Sequence, residues 1–167
     1  LHSFPTRRSS DLLVSKIEEK VDALYVGKAI NTSSLTNYNY YINGSREWEV
    51  VNNGNAQCKL IPIEPNQSFT IIAKSDLYAS VAFLQNNNIT HGQTPSFAGR
   101  AAGRIIASAG GQTKITAPDD ANWLYIMTIL SGEDNEPQVL MDVPAKEVLS
   151  GSTSRSEERR VGKECRS

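Results

Sequence analysis

An all-β fold, an antiparallel sandwich preceded by one short helix, is what this sequence predicts, on three observations. From Gly27 onward, short runs rich in β-branched and aromatic residues alternate with clusters of Asn, Gly, Pro and Ser, the pattern of a sandwich or barrel. No stretch after Leu24 keeps a helical period of useful length. The strongest run, Trp123-Leu124-Tyr125-Ile126-Met127-Thr128-Ile129-Leu130, is apolar at nearly every position, which marks a central strand covered on both faces.

The two ends stand apart from that pattern. Residues 1–12 and 155–167 hold 7 of the 17 basic residues, one of the 2 cysteines and one of the 2 histidines. One DNA segment accounts for both: read forward it encodes 4–12, and inverted with a shifted frame it encodes 155–163. That segment resembles a short-read sequencing adapter, so both ends are set aside as translated adapter, expected to be disordered. The natural portion is then 13–154, expected to be a fragment open at both sides. It carries 10 Lys and Arg against 14 Asp and Glu, a net charge of about −4. With no basic cluster it lacks the electrostatic footprint of a nucleic-acid binder, and no apolar run is long enough to span a bilayer. Cys58 is its one cysteine, which excludes an intrachain disulfide and reads as a small apolar packing residue. The length suits one domain with its own core.

The helix comes first. In Leu13 to Leu24, Val14, Ile17, Val21 and Leu24 recur at 3, 4, 3 spacing between charged residues, one apolar seam. It is too short to stand alone, so it either docks on the adjoining domain or is the end of a coiled coil, and 13–26 is assigned to it. A coil would make the protein an oligomer, with a homotrimer the expected form. The strands come next, over 40–42, 48–51, 59–63, 68–73, 80–84, 104–108, 113–116, 123–130 and 139–142. Turn chemistry separates them: Asn43-Gly44 and Asn53-Gly54 suit positive φ, Gly110-Gly111 suits a tight hairpin, and Pro65-Asn66 suits a turn with Pro at its second position. The sandwich is bounded at 27–143, and 144–154 reads as a polar exit linker.

Two phrases carry a resemblance. Ile61-Pro62-Ile63-Glu64-Pro65-Asn66-Gln67-Ser68-Phe69-Thr70-Ile71 is a strand, a proline turn and a second strand. Ala117-Pro118-Asp119-Asp120-Ala121-Asn122-Trp123-Leu124-Tyr125-Ile126 is a turn feeding a late core strand. With Val81-Ala82-Phe83-Leu84 and Thr94-Pro95-Ser96-Phe97 between them, the chain resembles the jelly-roll β-sandwich modules of bacteriophage and prophage tail-fibre or receptor-binding proteins. Similar modules sit beside SGNH-type esterases, especially in gut Bacteroidetes. The resemblance implies an extracellular or virion-associated attachment module that binds a cell-surface glycan or receptor, without catalysis of its own. The alternatives it leaves are an accessory domain of a carbohydrate-active esterase whose catalytic part lies elsewhere, or a structural spacer.

Candidate chemistry is sparse. A serine hydrolase of the SGNH type needs a Gly-Asp-Ser block and a downstream Asp-x-x-His, because a serine hydroxyl is inert until an imidazole takes its proton; the sequence has neither. His91, the only histidine of the natural portion, reads as a solvated loop residue. Asp119 and Asp120 read as turn residues before a strand or as oxygen donors to a structural Ca²⁺, and no other cofactor is expected. Glu133-Asp134-Asn135-Glu136 reads as a solvated acidic loop. Ligand contacts are expected from aromatic faces amid hydrogen-bonding side chains: Tyr38, Tyr40 and Trp48 with Arg46 and Asn52, where either Tyr41 or Trp48 packs inward. A second expected surface is the polar loop 85–100, through Asn87 and Asn88 at its Asn86-Asn87-Asn88 tip.

Overall fold

A computed structural model describes residues 24–74, 76–99 and 105–148. The strands within them are β1 (Tyr25–Ala29), β2 (Tyr40–Ile42), β3 (Trp48–Val50), β4 (Ala56–Pro62), β5 (Ser68–Ile72), β6 (Ala79–Leu84), β7 (Ile105–Ala107), β8 (Gln112–Thr116), β9 (Trp123–Leu130), β10 (Glu133–Asp134) and β11 (Gln138–Pro144). One sheet has the order β1-β11-β5-β8, and the other has β10-β9-β6-β7 with β4 on β9; β2 and β3 form a separate two-stranded ribbon. Every pair with a described register is antiparallel. The all-β expectation therefore holds. Residues 28–141 make one compact unit, and the described parts of a second are 24–27 and 142–148.

Within residues 28–141, the alternation of side chains along a strand builds two cores. Phe69 and Ile71 on β5, Ile115 on β8 and Val139 on β11 meet Ile61 on β4, Val81 and Phe83 on β6, Ala107 on β7, and Leu124 and Ile126 on β9. This inner core lies between the two sheets. The opposite parity of the second sheet, namely Cys58 and Leu60, Ala82 and Leu84, Tyr125 and Met127, packs with Ile42 and Trp48 of the ribbon into an outer core. Strand β9 contributes to both, and so does β6, which is buried along its whole length. That explains why 123–130 lacks a polar face: the ribbon covers the side that solvent would otherwise take.

Cross-strand register makes the layers explicit. Ile61, Leu124 and Phe83 lie in one row through β4, β9 and β6, and Leu60, Tyr125 and Ala82 lie in the next. Further along, pairing steps from Gln57↔Ile129 to Cys58↔Met127, so Thr128 is the extra residue of a β-bulge. Its hydroxyl donates to Asn37 Oδ1.

Several boundaries differ from the expectation. Tyr25 and Val26, placed with the helix, are strand residues; Leu24 is exposed outside any regular element, and the rest of the proposed helix, coil and trimer contact lies outside the described residues. Both adapter-like ends lie there too. The segment expected as linker begins with Pro144 still in β11 and a helical turn at 145–148. In that smaller unit the Leu24 carbonyl accepts the Ala145 N–H at 2.9 Å.

The turns are corrected in the same way. Gly54, Gly110 and Asn66 have positive φ, as their turns require, but in the ribbon's turn the left-handed residue is Arg46 (φ 61) rather than Gly44. There Asn43 Oδ1 accepts the N–H groups of Ser45 and Glu47, which sets the loop from its first residue. Gly110-Gly111 closes no hairpin, because β7 and β8 belong to different sheets. The tight hairpin lies instead at Ser131-Gly132, both at positive φ between the paired Leu130 and Glu133, the geometry of a two-residue primed turn. The acidic run after it is thus partly strand, and Asn135 is 1 % exposed rather than solvated.

Candidate functional site

The ribbon and the loop after β6 build one surface together. In the ribbon, Ile42 faces Trp48, Tyr40 faces Val50 and Tyr41 faces Glu49. Ile42, Trp48 and Tyr40 therefore share the face toward the sheet, and Tyr41 and Glu49 share the outer face, where the Tyr41 hydroxyl donates to Glu49 Oε2 at 2.9 Å. The ribbon is held down from below: the Ile42 N–H donates to the buried Tyr125 phenol oxygen at 3.1 Å, and the Trp48 and Tyr125 rings meet edge to face with centroids 5.7 Å apart.

The loop leaves β6 after Leu84 and returns alongside it. Gln85 N–H donates to Ser96 O, Ala98 N–H donates to Phe83 O, and Phe97 bridges to Leu84. Its far side is stitched to β3, with Trp48 N–H to Gln93 O, Gly92 N–H to Trp48 O, and Val50 N–H to His91 Nδ1. In this arrangement His91 Nδ1 is an acceptor and its ring helps fix the loop to the ribbon.

Asp120 clamps the base of the loop. Its carboxylate accepts Gln85 Nε2 at 2.7 Å and the Gly99 N–H at 3.0 Å, while Gln85 Oε1 accepts the Ser96 hydroxyl. The hydrogen bond from Gln85, then that from Gly99, holds the Asp120 carboxyl below the usual aspartate range. Gly99 must be glycine here, since φ is 81° and a Cβ would lie 2.9 Å from Pro118 Cγ.

Between ribbon and loop opens a cleft of about 170 Å³ lined by Trp48, Asn86, Asn88, Thr90, Gln93, Thr94 and Ser96. At roughly 30 Å³ per water this is room for one small ring, below the size of a typical cofactor pocket. Its lining residues are three carboxamides, three hydroxyls and Trp48, and none of the seven side chains ionises near neutral pH. Asn86 Oδ1 accepts the Asn88 N–H at 3.1 Å and so orders the tip.

Of the residues expected to bind ligand, Trp48 and Asn88 come together in this cleft. Asn87 is exposed between two lining residues. Tyr38 and Tyr40 are half-buried against the outer core, Arg46 sits exposed in the ribbon's turn, and Asn52 is exposed past the other end of β3. Thr90, Gln93, Thr94 and Ser96, which no sequence feature singles out as ligand contacts, line it as well, and they lie in the polar loop that the sequence marks. Asp119 is exposed, the Asp120 oxygens are taken up by N–H donors, and no group of three or more metal-ligating side chains exists among the described residues. Cys58 is fully buried, and burial pushes its thiol far up, which removes the thiolate needed for reactivity.

Comparison with protein-family models, with curated proteins and with solved structures finds no match for this chain, so the chemistry of the site rests on its own residues.

Proposed function

We propose that the chain is a non-catalytic attachment module that binds a cell-surface glycan or receptor through the cleft over Trp48, as part of a phage-tail-like or secreted multidomain protein. The observation that carries this reading is the lining: carboxamides and hydroxyls beside a tryptophan, with no ionisable group. Such a set offers both donors and acceptors to sugar hydroxyls and provides neither a charged clamp nor a nucleophile with its base. Ser96 Oγ is engaged with Gln85, and His91 Nδ1 with Val50.

In the proposed fold the sandwich is a jelly roll. Numbering the eight sheet strands β1, β4, β5, β6, β7, β8, β9 and β11 from one to eight, the sheet orders become 1-8-3-6 and 2-7-4-5. That is the order produced by folding a long antiparallel hairpin over into two Greek keys. The two phrases that carry the resemblance to tail-fibre modules fall at the β4 to β5 connection and at the approach to β9. A single shallow cleft gives weak binding, which several copies on one particle would multiply.

A glycan array probed with the full chain tests the reading, with Asn88→Ala and Gln93→Ala as controls because both side chains are exposed and lie outside the cores. Binding that falls about ten-fold in either variant, at unchanged melting temperature, supports it. A folded chain that binds no glycan leaves the structural spacer.

A further inference from the structure

Trp48 is 1 % exposed, and its Nε1 is buried without a hydrogen-bond partner. An indole N–H can only donate, and a buried donor left unpaired is unfavourable compared with the same group paired. Its surroundings in the outer core are apolar, from Ile42, Leu84 and the Tyr125 ring, with Ile89 and Phe97 of the loop packed on the same cluster. Yet Trp48 is also one of the residues that line the cleft. A residue with an unsatisfied donor is thus shared by the outer core and a polar cavity.

We infer, resting on the glycan-binding reading above, that the cleft selects a 2-acetamido sugar, whose carbonyl oxygen accepts the Trp48 indole N–H. Three points of chemistry favour that group. A sugar hydroxyl would satisfy the indole but bring its own O–H into an apolar corner, whereas an amide oxygen brings only acceptor capacity. A carboxylate would enter a site whose lining holds no cation to offset its desolvation. The acetamido methyl finds apolar contact in the indole and the Thr90 and Thr94 methyl groups, and its N–H finds an acceptor among the Asn88, Gln93 and hydroxyl oxygens. Because Nε1 is covered, the oxygen reaches it only when the side chains packed over it move.

The chain has two tryptophans, so its indole ¹H–¹⁵N spectrum holds two signals, and Trp123→Phe assigns that of Trp48. Full-length protein is titrated with methyl N-acetyl-β-D-glucosaminide, methyl N-acetyl-β-D-galactosaminide and methyl β-D-glucoside. The expected result is a saturating downfield movement of the Trp48 signal with an acetamido sugar, about ten-fold tighter than with the glucoside. In Trp48→Phe that preference disappears. Should this variant fail to fold, the titration of the unaltered indole still decides the matter. Equal affinity for the glucoside, or acetamido binding that moves the Asn88 and Gln93 carboxamide signals and leaves Trp48 still, overturns the inference and leaves the glycan-binding reading in place. No shift with any of the three sugars, together with an empty glycan array, overturns both.

Discussion

The inner and outer cores are packed on opposite faces of the same sheet, yet they are closed by different means. The inner core is sealed between two hydrogen-bonded sheets. The outer core is sealed by a ribbon of two three-residue strands and a loop, and its lid depends on single polar contacts: the Tyr125 oxygen under Ile42, the His91 nitrogen beside Val50, and the Asp120 carboxylate at the loop base. Stability is thus concentrated between the sheets, and adaptable chemistry lies above them. Local opening belongs to the second region, where fewer apolar contacts must be broken.

Substitutions can break that contrast. Phe69→Ala empties the inner core at a fully buried ring and should cost roughly 3–5 kcal/mol, read as a fall in the denaturant midpoint of the whole chain. A loss confined to the loop would contradict the division. Gly99→Ala puts a side chain at φ 81° against Pro118; a cost of about 1–3 kcal/mol is expected in a thermal melt, with loss of cleft binding ahead of global unfolding. Tyr125→Phe keeps the ring and removes the oxygen that Ile42 N–H meets. About 1 kcal/mol should go, and hydrogen exchange at the Ile42 amide should quicken while Phe69 and Ile71 amides stay protected.

Acid supplies the smallest effect and sharpens the comparison. Asp134 is held below its ordinary value of 3.8, first by the hydrogen bond from Lys74 and then by the Glu136 N–H. Asp120 is lowered by Gln85 and Gly99. A depressed carboxyl contributes stability above its unfolded value and loses it as pH falls through the lower folded value, so both contributions are complete above about pH 5 and fade below 3.8. The Lys74–Asp134 pair is largely exposed and worth at most about 1 kcal/mol. Asp120→Asn should abolish the part of the acid-dependent loosening that appears in loop amides, measured by NMR between pH 5 and pH 3; an unchanged profile would remove Asp120 from its clamping role.

Most strands were legible because one or both of their faces are apolar at period two, as in 68–72 and 123–130. Strand β1 was not: all five of its residues are exposed, so no alternation betrays it, and the apolar seam before it drew Tyr25 and Val26 into a helix. Strand β10 is two acidic residues fixed by the Ser131-Gly132 turn, too short to carry a pattern. The apolar character of both faces of β9 announced a cover on each side without saying what the second cover was. Likewise the sequence marked Trp48 and Asn88 as separate surfaces. Their meeting in one cleft depends on backbone hydrogen bonds between β3 and residues 92–93, which no side-chain pattern encodes.

Strand β9 acts as a party wall. Leu124 and Ile126 look into one room, Tyr125 and Met127 into the other, and the Tyr125 ring meets the Trp48 indole edge to face. A guest that touched Trp48 would therefore act through a ring whose chain neighbours, Leu124 and Ile126, lie in the inner core. On the proposed reading, a sugar held in the cleft should raise the unfolding temperature the more tightly it is bound, so a melt would report the binding directly.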